Sequence, residues 1–430
     1  MHLRYNHLAS RNGPLENLGY MKIFSLPSNR PVNFLLIGML FCVLATASSA
    51  QSKPRVFLLS PIDLHEAKRL YAAGDKTVLA AATQLERDAE KAVKGGTFSV
   101  MTKGVTPPSG DKHDYMSQAP YFWPDPAKKD GLPYIRRDGE RNPDILKITD
   151  HENLDRMINA VSKLSLAYYL KGDERYAAKA VEILRAWFLD PATRMNPNLN
   201  YGQGIPGINT GRGIGLIETR GLTRVVDSIG LLEGSRAFTD KDRTGINDWF
   251  ARFLQWMQES KNGRDESSSK NNHGTYYDLQ TATLALFLGK SSLAKSILET
   301  AKQKRIAFQI EPDGRQPLEL ARTKAWTYSI GNLDGLMQLA TLGESAGVDL
   351  WNFQTADGRS IRRAIDYLYP FAAGEKWKYQ QLGEWQPQLL LPLMQRAAEH
   401  YKDEKFRAML AKLSGGGDIT NANLIFVNRW

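Results

Sequence analysis

Apolar residues recur at helical spacing along almost the whole chain from about Pro61 onward, and strand-like alternation is scarce. The pattern fills helix-length units such as TVLAAATQLERDAEKAV and TYYDLQTATLALFLG, which end at Gly, Asn or Asp. Ten or more such helices with short connections favour antiparallel pairs. Because no fixed-period repeat of the tetratricopeptide or ankyrin kind occurs, an open solenoid is disfavoured. The sequence therefore predicts an all-α fold, an (α/α) toroid built as an incomplete barrel of antiparallel helix pairs.

The first 50 residues have the order of a leader and signal peptide. Residues 31–52 carry no formal charge, follow Lys22 and Arg30, and include small residues up to Ala50, near which we expect cleavage. The apolar run is short for a bilayer span, and an uncleaved membrane anchor is the alternative. We therefore predict a single toroid domain over residues 51–430, periplasmic or secreted, with no membrane association after cleavage.

The one cysteine, Cys42, lies inside this leader. A mature chain without cysteine has no disulfides, thiol nucleophiles or thiolate-bound metals. The GxGxxG at Gly202, Gly204 and Gly207 follows NPNLNY instead of a hydrophobic strand, which favours a flexible loop over a dinucleotide site. The histidines of the mature chain are scattered: His65, His113, His151, His273 and His400. With no HExxH, GxSxG or P-loop pattern, we predict no catalytic metal and no cofactor.

The net charge of +10 points to an anionic partner. The leader holds only four Lys or Arg residues and one Glu, so the mature chain stays basic. Acidic polysaccharide, an anionic membrane surface and nucleic acid are all candidates, as is a basic surface with no polymeric ligand. No run of five basic residues and no nucleic-acid module occurs, so we expect no nucleic acid. The oligomeric state is not indicated.

Two long segments interrupt the helices, from Gly95 to about Asp150 and from Asp190 to about Gly215. Loops of this length inside a domain are usually functional or mobile. Aromatic and basic residues suited to stacking on sugars and pairing with carboxylates stand in the first segment: Tyr115, Tyr121, Trp123, Arg136 and Arg137. We predict that these residues bind substrate; simple packing of the loop over the helices is the alternative.

The stretch from Lys270 to Asp278, KNNHGTYYD, leads from a serine-rich loop into an apolar helix. Backbone N–H groups and the helix dipole at such a start attract negative oxygens, and an Asn amide and an imidazole would converge there. Asn272 and His273 are therefore candidate ligands of an anionic group, with Asn271 and Tyr276 beside them. A helix cap with a hydrogen-bonded histidine is the alternative.

A second stretch places Arg322 six residues before Tyr328. With a helix beginning near Thr323, both side chains could face one cleft only if Arg322 folds back. The alternative pairs Arg322 with Glu319 and buries Tyr328 in the core.

The two stretches together with HDYMSQAPYFWPDP, from His113 to Pro126, resemble the alginate lyase superfamily. The chain looks closest to the glucuronan and alginate lyases of polysaccharide lyase family 38 and is more distantly similar to family 5. In family 5 the Arg and Tyr stand one residue further apart and a second His lies near the Tyr, whereas Ser329 follows here.

This resemblance implies an (α/α) toroid with an acidic polysaccharide lying in a groove at one end. It implies that Asn272, His273 and Arg322 neutralise the substrate carboxylate and that Tyr328 moves protons. The stretch from Gly207 to Gly213 and the residues after it also look family-like, which adds a set of groove residues: Asn209, Arg212, Glu218 and Arg220.

The implied reaction is β-elimination in a 1,4-linked uronic-acid polymer, glucuronan or alginate/polymannuronate. The C5 hydrogen becomes acidic only when the neighbouring carboxylate is neutralised. A phenol has a pKa of about 10, so we expect Arg322 and His273 to stabilise the Tyr328 phenolate. Two other functions stay open: a helical-toroid glycoside hydrolase with carboxylates such as Glu218 and Asp278, and a nonenzymatic surface glycan-binding protein.

Overall fold

Helices follow one another with few strands between them in the computed structural model, which describes residues 53–413. The predicted leader and signal peptide lie outside the described residues. The α-helices are α1 Pro61–Ala72, α2 Lys76–Val93, α3 Asp150–Lys171, α4 Glu174–Leu184, α5 Leu222–Leu232, α6 Asp240–Glu259, α7 Lys261–Ser267, α8 Asn272–Phe287, α9 Ser291–Ala301, α10 Pro317–Leu320, α11 Ala325–Ala346, α12 Ile361–Ala373, α13 Leu391–Tyr401 and α14 Glu404–Leu413. The strands are β1 Met116–Gln118, β2 Phe122–Trp123, β3 Ile135–Arg136 and β4 Tyr201–Gly204.

Helices α3, α5, α8, α11 and α13 contact one another in that order and form the inner layer. Nearly every residue of α5 and α8 is buried, and buried acidic side chains on them, Asp227 and Asp278, are satisfied by hydrogen bonds. Outer helices are amphipathic: α4 turns Tyr176, Ala180 and Ile183 inward against α3. Helices α9, α12 and α14 pack in the same way on α8, α11 and α13. The predicted toroid of helix pairs is confirmed.

Both long segments of the sequence join at one end of this toroid. Strand β1 in the first segment pairs in parallel with β4 in the second, with Met116 opposite Tyr201, and β2 pairs with β3 in an antiparallel hairpin. A fully buried ion pair, Lys103 Nζ to Asp150 Oδ2 at 2.9 Å, ties the first segment to the start of α3. Burial raises the pKa of Asp150 to about 6 in spite of Lys103. The loops are thus built into the fold.

Residues 53–413 belong to one compact unit. Within them, no helix is both long enough and apolar enough to cross a bilayer.

The segment before α1 is fastened to the inner layer by one carboxylate. Asp227 on α5 accepts hydrogen bonds from the backbone N–H groups of Phe57, Leu58 and Leu59 at 2.7–3.0 Å. We predict that Asp227→Ala lowers the free energy of unfolding by about 3 kcal/mol or more, because three N–H groups lose an ionised acceptor. Urea unfolding measures this change. Asp248→Ala on α6 is the control: its ion pair with Arg252 is exposed, so the free energy of unfolding should change by less than about 0.5 kcal/mol. Equal stability of the Asp227 variant and wild type would contradict the prediction.

Candidate active site

A cavity of about 460 Å³ opens at the end of the toroid where α8 and α11 begin. Both long segments contribute to its wall. Its lining includes four arginines, Arg136, Arg212, Arg220 and Arg322, together with aromatic and polar side chains: Tyr121, Asn271, Asn272, His273, Tyr276 and Tyr328. Among the described residues that line it, none is acidic. The cavity is therefore suited to an anionic ligand.

The start of α8 is organised by a buried carboxylate on the short helix α10. Glu319, which is 1% exposed, accepts the backbone N–H of Asn272 through Oε1 and its side-chain Nδ2 through Oε2, both at 2.7 Å. Burial raises the pKa of Glu319, and the two bonds from Asn272 oppose that effect. The Asn272 amide is thus held in one orientation at the cavity wall.

His273 is oriented by a second buried carboxylate. Its Nδ1 lies 2.8 Å from Oε1 of Glu266, which is 1% exposed on α7. Because an ionised carboxylate only accepts hydrogen bonds, Nδ1 carries the hydrogen in this contact. The Nε2 atom then remains for a ligand in the cavity.

The glycine that follows this pair is required by close packing. A Cβ atom on Gly274 would lie 2.1 Å from the Ser269 carbonyl oxygen and 2.3 Å from Nη1 of Arg305. The Arg305 guanidinium donates to the carbonyls of Ser267 and Ser269 and pairs with Asp278 through Nε at 2.7 Å. It therefore fixes the loop that leads into α8.

Arg322 and Tyr328 lie against each other at the mouth of α11. This helix begins at Ala325, two residues after Thr323, so Tyr328 stands in its first turn. The guanidinium carbon of Arg322 is 3.9 Å from the centroid of the Tyr328 ring. Arg322 also donates two hydrogen bonds to Asp138, from Nε to Oδ2 at 3.1 Å and from Nη2 to Oδ1 at 2.9 Å. The alternative pairing of Arg322 with Glu319 is therefore not observed.

The electrostatics of Tyr328 differ from the sequence expectation. Its hydroxyl donates to the Tyr121 hydroxyl at 2.9 Å. Burial, and then Tyr121, raise the pKa of Tyr328 above its ordinary value, although Arg322 acts in the opposite direction. Arg322 acts in the predicted direction, but burial outweighs it, because a phenol removed from water holds its proton more tightly.

Known proteins of similar sequence and fold identify the family of this chain. Residues 99–378 match the family model described as alginate lyase. The chain belongs to the alginate lyase family. A solved alginate lyase from Bacteroides ovatus is 41% identical to it and superposes with a TM-score of 0.83, over 87% of this chain and 100% of that one. The predicted resemblance to the alginate lyases is confirmed.

More distant alginate lyases share the fold. Alginate lyase A1-III from Sphingomonas species A1 is 15% identical, with a TM-score of 0.54 over 83% of this chain and 92% of that chain. A variant of alginate lyase A1-III complexed with a tetrasaccharide is 16% identical, with the same TM-score. No protein with a curated description matches the chain.

Two residues that were predicted to bind substrate, Tyr115 and Glu218, do not line the cavity of this alginate lyase family member. Tyr115 is fully buried, and its hydroxyl donates to Oε2 of Glu218 at 2.8 Å. Ser117 donates to the same oxygen at 2.6 Å. Tyr115 thus anchors the loop instead of facing a sugar, which corrects the sequence prediction. Glu218 lines neighbouring cavities but not this one.

Three further residues that were predicted to bind substrate do not line this cavity: Trp123, Arg137 and Asn209. Asn209 lines a separate surface cavity, where its Oδ1 accepts the Ile205 N–H at 3.3 Å. Arg137 lies over the Trp123 ring, 5.1 Å from its centroid, on the β2–β3 hairpin. These three residues therefore lie outside this cavity, and their contact with substrate stays a prediction. Six predicted binding residues do line the cavity: Tyr121, Arg136, Arg212, Arg220, Asn271 and Tyr276.

Three carboxylates that position the site were not predicted: Asp138, Glu266 and Glu319. Each lies within hydrogen-bond distance of a residue that lines the cavity. Asp138 and its partner Arg322 are 184 residues apart in the sequence. Hydrogen bonds from Arg322 and from the backbone and side chain of Thr323 outweigh burial and keep the pKa of Asp138 below its ordinary value. Among residues 53–413, no group of three or more His, Cys, Asp or Glu side chains is arranged to hold a metal ion.

Proposed function

We propose that the protein is a polysaccharide lyase that cleaves a 1,4-linked uronic-acid polymer, glucuronan or alginate/polymannuronate, by β-elimination. The observation that carries this proposal is the meeting of Asn272, His273, Arg322 and Tyr328 in one arginine-rich cavity. Membership of the alginate lyase family supports it, as does the 41% identity to a solved alginate lyase. Assignment to polysaccharide lyase family 38 stays a prediction.

Neutralising the sugar carboxylate is the first chemical task. Asp138 engages Nε and Nη2 of Arg322, which leaves Nη1 to pair with the substrate. Nε2 of His273, with Nδ1 held by Glu266, donates to the same carboxylate when the ring is an imidazolium. The amide of Asn272 completes the set of donors. Fixed donors stabilise the charge that develops as the carboxylate becomes enolate-like.

Tyr328 then carries the proton from C5 to the leaving oxygen. Burial raises the pKa of Tyr328, so the phenol must lose a proton before it can act as a base. It passes that proton to the Tyr121 hydroxyl, 2.9 Å away, as Tyr121 releases its own proton to solvent. In mannuronate and glucuronate the C5 hydrogen and the C4 oxygen lie on the same side of the ring, so one phenol can serve both steps. We therefore favour these polymers over polyguluronate.

A glycoside hydrolase would need two carboxylates in the cavity, and Glu218 and Asp278 are not placed for that role. Asp278 is engaged by Arg305, and Glu218 accepts hydrogen bonds from Tyr115 and Ser117. Neither residue lines the cavity.

The test is a screen of glucuronan, polymannuronate, polyguluronate and hyaluronan, with cellulose as the uncharged control. A lyase produces an unsaturated uronate that absorbs ultraviolet light as the polymer shortens. Shortening without absorbance would indicate a hydrolase, and binding without shortening would indicate a glycan-binding protein; either result would overturn the proposal.

We also propose that the mature chain is one toroid domain over residues 51–430 that acts in the periplasm or outside the cell. The net positive charge would favour its encounter with a polyanion. N-terminal sequencing of the protein exported by a host cell tests this proposal. A first residue near Gln51 is expected, and a chain that stays in the cytoplasm with its leader intact would contradict it.

Asp138 provides a test of Arg322 positioning. We predict that Asp138→Ala lowers kcat by about 10- to 10²-fold, because Arg322 loses both bonds that hold it and small misplacements of a catalytic group are costly. The measurement is the initial rate of product absorbance on the preferred polymer. Asp144→Ala is the matched control and should retain full activity, because Asp144 lies in the same segment and forms its ion pair with the exposed Lys147. An unchanged rate in Asp138→Ala would show that Arg322 needs no anchor.

A further inference from the structure

A large aromatic side chain stands exposed beside the proposed active site. Phe308 follows the last, π-helical turn after α9 and is 49% exposed. Helix α9 runs antiparallel to α8, so its end reaches the same rim of the toroid as the start of α8. An isolated exposed apolar residue is common on protein surfaces, so exposure alone would mean little.

Phe308 is accompanied by a lysine that has no carboxylate partner among residues 53–413. Nζ of Lys270 lies 5.6 Å from the centroid of the Phe308 ring. Such a cation–π contact keeps the ammonium group close to the ring without neutralising its charge. A flat apolar ring with a free ammonium beside it matches a uronate, which has a C–H face and a carboxylate.

The pair is continuous with the cavity. Lys270 stands between Ser269 and Asn271, which both line it. Nε2 of Gln309, the residue after Phe308, donates to the Asn271 carbonyl at 3.2 Å. Gln309 is 3% exposed, so this bond ties the end of α9 firmly to the loop before α8. A chain leaving the cavity over Ser269 and Asn271 therefore meets Lys270 and Phe308 next.

We propose that Phe308 and Lys270 form a distal subsite for a second uronate of the same polymer chain. This inference rests on the proposed function. A sugar ring stacks on Phe308, and its carboxylate pairs with the Lys270 ammonium. The subsite adds affinity for long chains and takes no part in bond cleavage.

The test compares a long polymer with the shortest oligosaccharide that is cleaved. Phe308→Ala should raise KM for the polymer by about three- to tenfold, the effect of one lost stacking contact, and leave kcat unchanged. KM for the short oligosaccharide should not change, because that ligand does not reach the subsite. Phe308→Trp, which keeps an aromatic face, should retain the wild-type KM. Lys270→Met should also raise KM for the polymer, with an effect that shrinks as salt is added.

Leu79→Ala is the matched control, since Leu79 is an exposed apolar residue, 37% accessible, on α2. It should alter neither constant. An unchanged KM for the polymer in Phe308→Ala, or equal increases for long and short substrates, would overturn the subsite.

A binding measurement separates failure of this inference from failure of the proposed function. The affinity of Tyr328→Phe for the same polymer is measured by titration calorimetry, with and without Phe308→Ala. This comparison needs no turnover, so it remains decisive if no polymer is cleaved. Weaker binding in the double variant supports the subsite, and equal binding contradicts it.

Discussion

Replacing Tyr328 by phenylalanine is expected to lower kcat by about 10²–10⁴-fold, the range found when an acid–base group is removed. The ring remains, so its contact with Arg322 is kept, with the guanidinium carbon 3.9 Å from the centroid. Only the oxygen that takes the C5 proton as a phenolate, and then protonates the leaving oxygen as a phenol, is lost. Affinity for the polymer should therefore change little, and the unfolding temperature should stay close to that of the wild type.

The measurement is the rate of ultraviolet absorbance under saturating polymer. Tyr277→Phe is the matched control, because Tyr277 is on the adjacent helix α8 but its hydroxyl bonds the Met257 carbonyl in the core. It should keep its kcat while losing some stability. If Tyr328→Phe retains near-wild-type turnover, another group takes the C5 proton.

The second large effect is expected from His273→Ala. Losing one fixed donor to the developing enolate should lower kcat by about 10²–10³-fold. The structure adds a consequence for folding, since Glu266 is buried and loses the imidazole that contacts it at 2.8 Å. We therefore expect the free energy of unfolding to fall by about 1–3 kcal/mol. Kinetics measured well below the unfolding temperature, together with urea unfolding, separate the two effects.

His65→Ala is the control for this variant. His65 is exposed on α1 and does not line the cavity. Its replacement should leave turnover unchanged. Full activity in His273→Ala would remove the imidazole from the proposed mechanism.

The helix pairs could be predicted because apolar residues at helical spacing mark the faces that pack together. Which helices form the inner layer was not predicted: α8 is buried on nearly all sides, whereas α4 keeps exposed positions. The long loops could not be predicted in the same way. Tyr115 resembled a sugar-binding aromatic residue, yet it lies in the core with its hydroxyl on Glu218. Composition alone does not distinguish an aromatic residue that faces a ligand from one that anchors a loop.

Part of the candidate site could be predicted from the sequence. Local motifs indicated the cavity residues on α8 and at the mouth of α11. Their supports are distant in sequence: Asp138 lies 184 residues from Arg322, and Glu319 lies 47 from Asn272. No local pattern pairs such residues. The raised pKa of Tyr328 is likewise a tertiary effect, because it depends on burial and on Tyr121.

Cleavage in this cavity is expected to remove a C5 proton and to add no water to the broken bond. The decisive measurement is mass spectrometry of fragments formed in water enriched in heavy oxygen and analysed before their anomeric oxygens exchange with solvent. Elimination predicts that each new non-reducing end lacks the mass of one water and that no heavy oxygen enters at the cleaved linkage. Saturated fragments that carry heavy oxygen at their new reducing ends would show hydrolysis and rule out elimination.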